Sequence, residues 1–326
     1  MNIAIVGATG IVGKHILKIL HEKDLIRGNN ITLFASAKHN GTKVIAFGEK
    51  YIIRELSENN LDSCYDFAFF SAGSAVSKTW AQEFVSRGAF VIDNSNAFRR
   101  DNAVPLVVPE INADTISPGT KLISNPNCST IALALPMYAV STLSPAKRIV
   151  VSTYQAVSGA GTKALEDLEQ NTTTKLNHKI QNNLIPHIDV FLDDGYTLEE
   201  DKMRFELNKI LRSDNIMVSA TCVRVPIKNC HSESVNFSLK DNVPIKDLER
   251  ALKSQKGVTF ISRQDLYPMP ILSDGKDDVF VGRLRSDTTA KNSYNMFISM
   301  DNIRKGAALN AVQIMEYIVA STKKDR

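Results

Sequence analysis

Cysteine is scarce in this sequence: four in 326 residues, at Cys64, Cys128, Cys222 and Cys230. They are too few and too spread for a disulfide scaffold, and no pair has the close spacing of a zinc site. The expectation is a reduced set of thiols and no bound metal. Runs of one charge are missing too. Against 39 Lys and Arg stand 35 Asp and Glu, a net charge of +4, and the cations are scattered. That argues against a nucleic-acid partner. No apolar run is long enough to span a bilayer, and the longest, after Cys128, contains Pro136. No basic segment precedes the first apolar run, and Gly7 and Gly10 break it, so no signal peptide is expected. What remains is a cytoplasmic globular chain, 43% apolar and 23% charged, without repeats or low-complexity tracts and long enough for two domains.

The first half carries a nucleotide signature. "MNIAIVGATGIVGKHILKIL" reads as a strand, a glycine turn and an amphipathic helix. Gly7, Gly10 and Gly13 are spaced G-x-x-G-x-x-G. Turn glycines let the backbone approach a pyrophosphate, and the helix start beyond attracts its charge. A plain tight turn is the alternative. The second strand, "ITLFASAKH", ends in Ser36 and Lys38 with no acid nearby. An NAD site usually has an acid there for the ribose 2′-hydroxyl, whereas a hydroxyl and a cation suit a 2′-phosphate. NADP is therefore expected over NAD, unless Lys38 is only a solvated loop residue. A further turn, Ser71-Ala72-Gly73-Ser74, falls at a strand's C-terminal end, where open parallel sheets bind ligands. "PLVVPEIN" and "TKLISNPN" read as two more short strands. The fold expected is α/β, a doubly wound parallel sheet that the chain leaves at Cys128.

From Lys147 the pattern changes. "KRIVVSTYQAVSG", "NIMVSATCVRVPI", "ESVNFSLK", "VGRLRSD" and "SYNMFISMD" read as strands, with "DLERALKS" a helix between them. A largely antiparallel sheet with helices on one face is expected. The final "NIRKGAALNAVQIMEYIVA" is an amphipathic helix that could pack back onto the first domain.

One stretch suggests chemistry: "SNPNCSTIALALPMYAV" places Cys128 after an Asn-Pro-Asn turn, at the start of an apolar helix. Unpaired N–H groups and the helix dipole there favour a thiolate nucleophile. Such a nucleophile needs an acid/base partner. Of His15, His21, His39, His178, His187 and His231, the last lies just after a strand and seven residues beyond Arg224; spacing makes it only a candidate, since an isolated histidine is more often structural or on the surface. Arg224 lies in an apolar strand and needs an anion, either a ligand carboxylate or an internal Asp or Glu. Cys222 and Cys230 read as small packing residues.

"GATGIVG", "SNPNCST", "YQAVSGAG", "CVRVPIKNCHS" and "RKGAALNAVQ", in this order, resemble aspartate-β-semialdehyde dehydrogenases along nearly the whole chain. The resemblance implies NADP-dependent reductive dephosphorylation of β-aspartyl phosphate to aspartate β-semialdehyde, on the route to lysine, threonine, methionine and, in bacteria, diaminopimelate. It gives Cys128 the nucleophile's role and a thioester. It makes His231 the acid/base and Gln155 the residue that orients the intermediate. Glu199 would hold the substrate amine, Arg224 its carboxylate, and Lys202 and Arg99 the phosphate. Without it, Arg99, Glu199 and Lys202 would read as solvated surface charges. Thr9, Ile11, Val12, Ser158, Gly159 and Asn310 join the glycines as cofactor contacts. The implied domains are 1–127 plus 304–326 for NADP and 128–303 for catalysis and dimerisation, in a homodimer or homotetramer. Lys38 stands where many relatives carry Arg. The Asn-rich Glu169–Asn183 reads as a mobile or lineage-specific loop to which no chemistry is assigned.

Three other readings compete. N-acetyl-γ-glutamyl phosphate carries no ammonium for Glu199, and its reductases typically have Gly where Asn127 stands. Pro126 and Asn127 also depart from the cysteine motif of glyceraldehyde-3-phosphate dehydrogenases. An inactive dinucleotide-binding homologue would leave the filled catalytic positions unexplained.

Overall fold

A computed structural model describes residues 1–61 and 64–324. The chain falls into two compact units, Met1–Pro126 with Ala307–Arg326, and Asn127–Gly306. Asp325 and Arg326, which end the expected first domain, lie outside the described residues.

The first unit opens with β1 (Asn2–Val6), α1 (Ile11–Glu22), β2 (Asn30–Ala35), β3 (Lys43–Ala46) and β4 (Glu49–Glu55). It continues through β5 (Phe67–Phe70), α2 (Ser74–Ser86), β6 (Phe90–Asp93), α3 (Pro109–Asn112) and β7 (Leu122–Ser124). The strands form one sheet in the order β3-β4-β2-β1-β5-β6-β7, parallel except for β3. Strand order reverses at β1, between β2 and β5, the switch point of a doubly wound sheet. Alternation along β1 feeds two cores: Ile3 and Ile5 on one face, Ala4 and Val6 on the other.

Two readings of this half change. "PLVVPEIN" is not a strand: Leu106 makes one isolated parallel bridge to Ser124, and Pro109 opens α3. Pro105 and Pro109 lack the N–H groups a ladder needs, and proline suits a helix's first turn. The β3–β4 hairpin was not foreseen. Its turn residues Phe47 and Gly48 both have positive φ, 55° and 79°, which an Asn-Gly pair would have signalled more clearly.

The second unit runs through α4 (Cys128–Ser141), β8 (Ala146–Gln155), α5 (Thr162–Gln170), α6 (Leu198–Leu211), β9 (Met217–Arg224) and β10 (His231–Leu239). Then come α7 (Ile245–Ser254), β11 (Val258–Ile261), α8 (Pro270–Ser273), β12 (Val279–Ser286) and β13 (Ser293–Met300). Its sheet, β11-β12-β13-β10-β8-β9, is mixed. Three antiparallel pairings fill the middle, while β11–β12 and β8–β9 pair in parallel at the ends. The parallel pairs need long crossovers, and helices α5 and α6 lie within that of β8–β9. Almost every residue of α4 is buried, so it is apolar all round rather than on one stripe. A π-helical turn, Arg304–Ala308, leads into α9 (Leu309–Lys324), which packs against α1 in the first unit's core.

Candidate active site

Three strand ends meet at one edge of the second unit's sheet. Gln155 closes β8, Arg224 closes β9 and His231 opens β10. Gln155 and Arg224 are register partners, and Ser232 pairs with Tyr154 one step along. Side chains alternate across a strand, so all three face the same way, and all three are buried. Thr153, Cys222 and Glu233 form the next rung inward. Helices α4 and α6 pack on this face.

Cys128 is the first residue of α4, with Asn127 as its N-cap. Asn127 is gripped twice. Its backbone N–H donates to Glu206 Oε2 at 2.7 Å, and its Nδ2 donates to Glu199 Oε1 at 2.9 Å. That leaves Oδ1 turned to the Cys128 Sγ, 3.7 Å away. Gln155 Nε2 donates to Ser129 Oγ at 2.7 Å and to Glu199 Oε1 at 3.1 Å. The first turn of α4 is thus tied to α6 and β8. Behind the thiol, a Cβ on Gly306 would lie 2.8 Å from Cys128 Cβ, so the chain passes there as glycine.

Cys128, Gln155, Glu199, Lys202, Arg224 and His231 line one cavity of about 410 Å³. Glu199 and Lys202 sit three residues apart on α6, whose start is fixed by a Thr197–Glu200 capping box. Neither is a solvated surface charge: Glu199 is 5% exposed and Lys202 9%. Burial pushes the Glu199 carboxyl up, but Lys202 and the Asn127 and Gln155 amides outweigh it and hold it below its ordinary value. Lys202 Nζ is shared by Glu199 Oε2 at 3.2 Å and Asp189 Oδ2 at 2.6 Å.

Arg224 Nη1 donates to the Ala156 carbonyl at 2.7 Å, and the side chain has no carboxylate ion pair among the described residues. The internal salt bridge that the sequence left open is not formed. Burial lowers the guanidinium's pKa, while Glu199 and Cys128 act the other way. His231 Nδ1 accepts the Ala156 N–H at 3.0 Å. A backbone N–H can only donate, so the neutral ring carries its proton on Nε2. Burial and then Arg224 push this imidazole well below its ordinary pKa, which keeps it neutral. Nε2 lies 3.3 Å from where a Gly159 Cβ would stand, so the missing side chain keeps the space before it open. Cys222 and Cys230 are buried, and burial raises both thiols, Cys230 to about 12.

Sequence reasoning missed several lining residues: Lys175, His187 and Asp189, and the positioning role of Asn127. His187 stacks on Phe191 at 4.3 Å between ring centres. The Asn-rich stretch, expected as a mobile or lineage-specific loop, places Lys175, Leu176 and Asn177 on the cavity wall. Ser158 is buried against Asn229 and Asn302. Cys230, Asp274 and Asp301 approach within 4.8 Å of one another. However, Asn229 already bridges the two carboxylates, and N–H groups of Gly275, Ile303 and Arg304 occupy Asp301.

The first unit has its own cavity, about 420 Å³, lined by Gly7, Thr9, Gly10, Ser36, Ser71 and Ala72. Gly7 (φ 89°) comes so near β5's end that a Cβ would meet Ser71 backbone at 2.7 Å, and one on Gly13 would meet Gly7 O at 2.4 Å. A backbone-lined cradle opening onto a helix start fits a dinucleotide pyrophosphate. Ile11 and Val12 form the first turn of α1, and Gly73 precedes α2. Lys38 lies in a short 3₁₀ turn after Ser36 and does not line this cavity, nor does Asn310, whose amide donates to Val107 O and Asn125 Oδ1. The sequence had no acid near Ser36, but β4 pairs with β2 and brings Glu55 to the cavity wall, beside Trp80. Arg99, in the same unit, is 6% exposed, with Nη2 donating to Asn94 O at 2.7 Å. No helix among the described residues is long and apolar enough to cross a membrane.

Comparison with known proteins agrees with this geometry. Residues 2–118 match the family model for the NAD binding domain of semialdehyde dehydrogenase, and residues 137–305 match its dimerisation domain. The chain is 45% identical to aspartate-semialdehyde dehydrogenase of Aquifex aeolicus, covering 98% of each. It is 41% identical to that of Bacillus subtilis, covering 97% of this chain and 96% of the relative. Among solved structures, aspartate semialdehyde dehydrogenase II from Vibrio cholerae, complexed with ASA, matches with a TM-score of 0.94, 36% identity and 98% of each chain. The chain therefore belongs to the aspartate-semialdehyde dehydrogenase family.

Proposed function

We propose that the chain reductively dephosphorylates β-aspartyl phosphate to aspartate β-semialdehyde and inorganic phosphate, with NADPH as reductant and a thioester on Cys128. The observation that carries this reading is the charge pattern of one cavity. A buried arginine with no carboxylate ion pair among the described residues, a buried ionised glutamate and a thiol at a helix start line it together. A substrate with a carboxylate, an ammonium and an acyl carbon complements these groups. Arg224 takes the carboxylate in a bidentate pair and Glu199 the ammonium. The Cys128 thiolate, favoured by the helix start and Arg224, attacks the acyl carbon, and the bond to phosphate breaks with its electron pair leaving on phosphate. Bound in the glycine cradle, the dinucleotide supplies the hydride. His231, neutral, donates its Nε2–H to the substrate's carbonyl oxygen as negative charge gathers there. Breaking the carbon–sulfur bond releases the aldehyde, leaves the electron pair on the Cys128 Sγ and returns the hydroxyl proton to His231. Arg99 enters on the resemblance alone, as a phosphate ligand.

The NADP preference rests on Ser36 and Lys38, with Glu55 opposing it. A homodimer is proposed through the outer face of the six-stranded sheet. There Tyr154, Ile227 and Tyr267 are exposed around an apolar cavity of about 520 Å³. The test runs the reaction backwards with aspartate semialdehyde, phosphate and NADP, following the absorbance of reduced nicotinamide. Turnover that is lost in Cys128→Ser supports the reading. Silence with this aldehyde, or preference for N-acetylglutamate semialdehyde, overturns it.

A further inference from the structure

The Asn-rich segment after α5 is built, not loose. Asn171 ends α5 in the left-handed region (φ 55°), and Asn182 adopts the same conformation (φ 53°). Asparagine tolerates that conformation better than most residues, which accounts for part of the composition. The buried carboxylate of Asp167 gathers the chain that follows. It accepts Thr172 Oγ1 at 2.6 Å, the N–H groups of Thr174 and Lys175 at 2.7 Å and that of Leu176 at 2.8 Å. The Thr174 hydroxyl donates to it as well. Burial opposes ionisation of Asp167, but these donors outweigh it and hold the carboxyl well below its ordinary value. On the apolar side, Leu176 and Ile180 pack with Val157, Ala164 and Ile185 in a satellite core. One polar knot and one apolar anchor therefore hold the backbone at Lys175, an exposed residue that with Asn177 lines the Cys128 cavity.

Cations in this cavity are already committed. Lys202 is shared by Glu199 and Asp189. Arg224 is assigned to the substrate carboxylate. The Lys175 ammonium has no carboxylate ion pair among the described residues. A departing phosphate carries more than one negative charge near neutral pH, and Lys202, already paired with two carboxylates, adds little net positive charge to this cavity; Arg99, given to phosphate on the resemblance alone, belongs to the other unit. We propose that Lys175 is a further phosphate-binding residue of this site, set in place by Asp167 as a positioning residue. The proposal rests on the functional reading above.

The test varies phosphate, aspartate semialdehyde and NADP separately in the reverse reaction, in wild type, K175Q, K175R and D167N. K175Q is expected to raise the KM for phosphate about tenfold, the loss of one charge-assisted contact. The KM for the aldehyde stays within about twofold, and K175R recovers most of the phosphate affinity. D167N shifts the phosphate KM in the same direction. The double variant K175Q/D167N is no worse for phosphate than K175Q, because both act through one contact. An unchanged phosphate KM in K175Q, or a rise confined to the aldehyde or NADP, overturns the proposal. A second assay needs no turnover: inorganic phosphate should protect Cys128 from alkylation by iodoacetamide, and K175Q should need about tenfold more. Equal protection of both proteins also overturns it. Wild type that is protected but inactive overturns the functional reading and leaves the phosphate contact standing.

Discussion

Replacing Gly306 by alanine tests how closely the proposed nucleophile, Cys128, is held. The added Cβ would stand 2.8 Å from Cys128 Cβ and 2.9 Å from Met300 Cε. Carbon atoms settle about 3.5 Å or more apart, so both neighbours must retreat by about 0.7 Å. Met300 can swing its terminal methyl. Cys128 cannot move alone, because its neighbour Asn127 is held by Glu206 and Glu199, and Ser129 by Gln155. Displacement on the order of 1 Å at a reacting atom costs about 100-fold in rate. Part of the crowding will be absorbed by Met300, so kcat is expected to fall about 10- to 100-fold. Overpacking should cost about 1–3 kcal/mol of stability. The assay pairs kcat with the rate of Cys128 alkylation and a thermal melt. Unchanged kcat and alkylation with an unchanged melt would refute the claim that the thiol's position depends on this glycine.

Three further outcomes are expected. Glu233 is fully buried and its carboxyl is raised well above 4.5, by burial first and then by Glu199. The folded chain then keeps a proton that the unfolded chain releases, so stability falls as pH rises from about 4.5 towards the folded value. Glu233→Gln should remove that slope, melting higher than wild type at about pH 8 and not at about pH 4; equal gains at both would contradict a protonated Glu233. Glu55→Gln should improve NADP relative to NAD by about fivefold, the effect of removing one like charge worth about 1 kcal/mol in watery surroundings; no change in the ratio of kcat/KM values would place the 2′-group elsewhere. Trp80, the single tryptophan, lines the glycine cavity, so dinucleotide titration should change its emission. Binding in an isothermal titration without any emission change would argue against that cavity.

Much of this was legible in the residues. Spacing of Gly7, Gly10 and Gly13 between a strand and a helix located the cradle, because only glycine survives so near Ser71 and Gly7 O. Cys128 could be read from its turn and helix, and Arg224 from the cost of a charge in an apolar strand. Glu199 and Lys202 could not. In sequence they are two charges among several on a helix, and their burial depends on α6 packing against β9. The Thr197–Glu200 capping box did mark where α6 begins. Glu55 was invisible for a related reason, since it reaches Ser36's end of the sheet only through β2–β4 pairing. The segment after Asp167 looked loose because its organiser is one carboxylate upstream of the polar run. Backbone N–H groups, which no side-chain pattern reveals, make most of its bonds.

The ladder that carries Gln155, Arg224 and His231 also sets what this site can survive. The three are placed by strand register, and a slip of one residue would turn each to the opposite face of the sheet. The six residues joining Arg224 to His231 are held as well: the Val225 N–H donates to Gln155 O, Ile227 O and Lys228 O accept from Val157 and Ser158, and the Cys230 N–H donates to Asn302 Oδ1. Those bonds reach the turn after β8 and the segment after β13, so the connection is fastened along its length as its ends are in the ladder. The strands themselves act as a ruler that admits no insertion, and the connection fastened to them shares that intolerance.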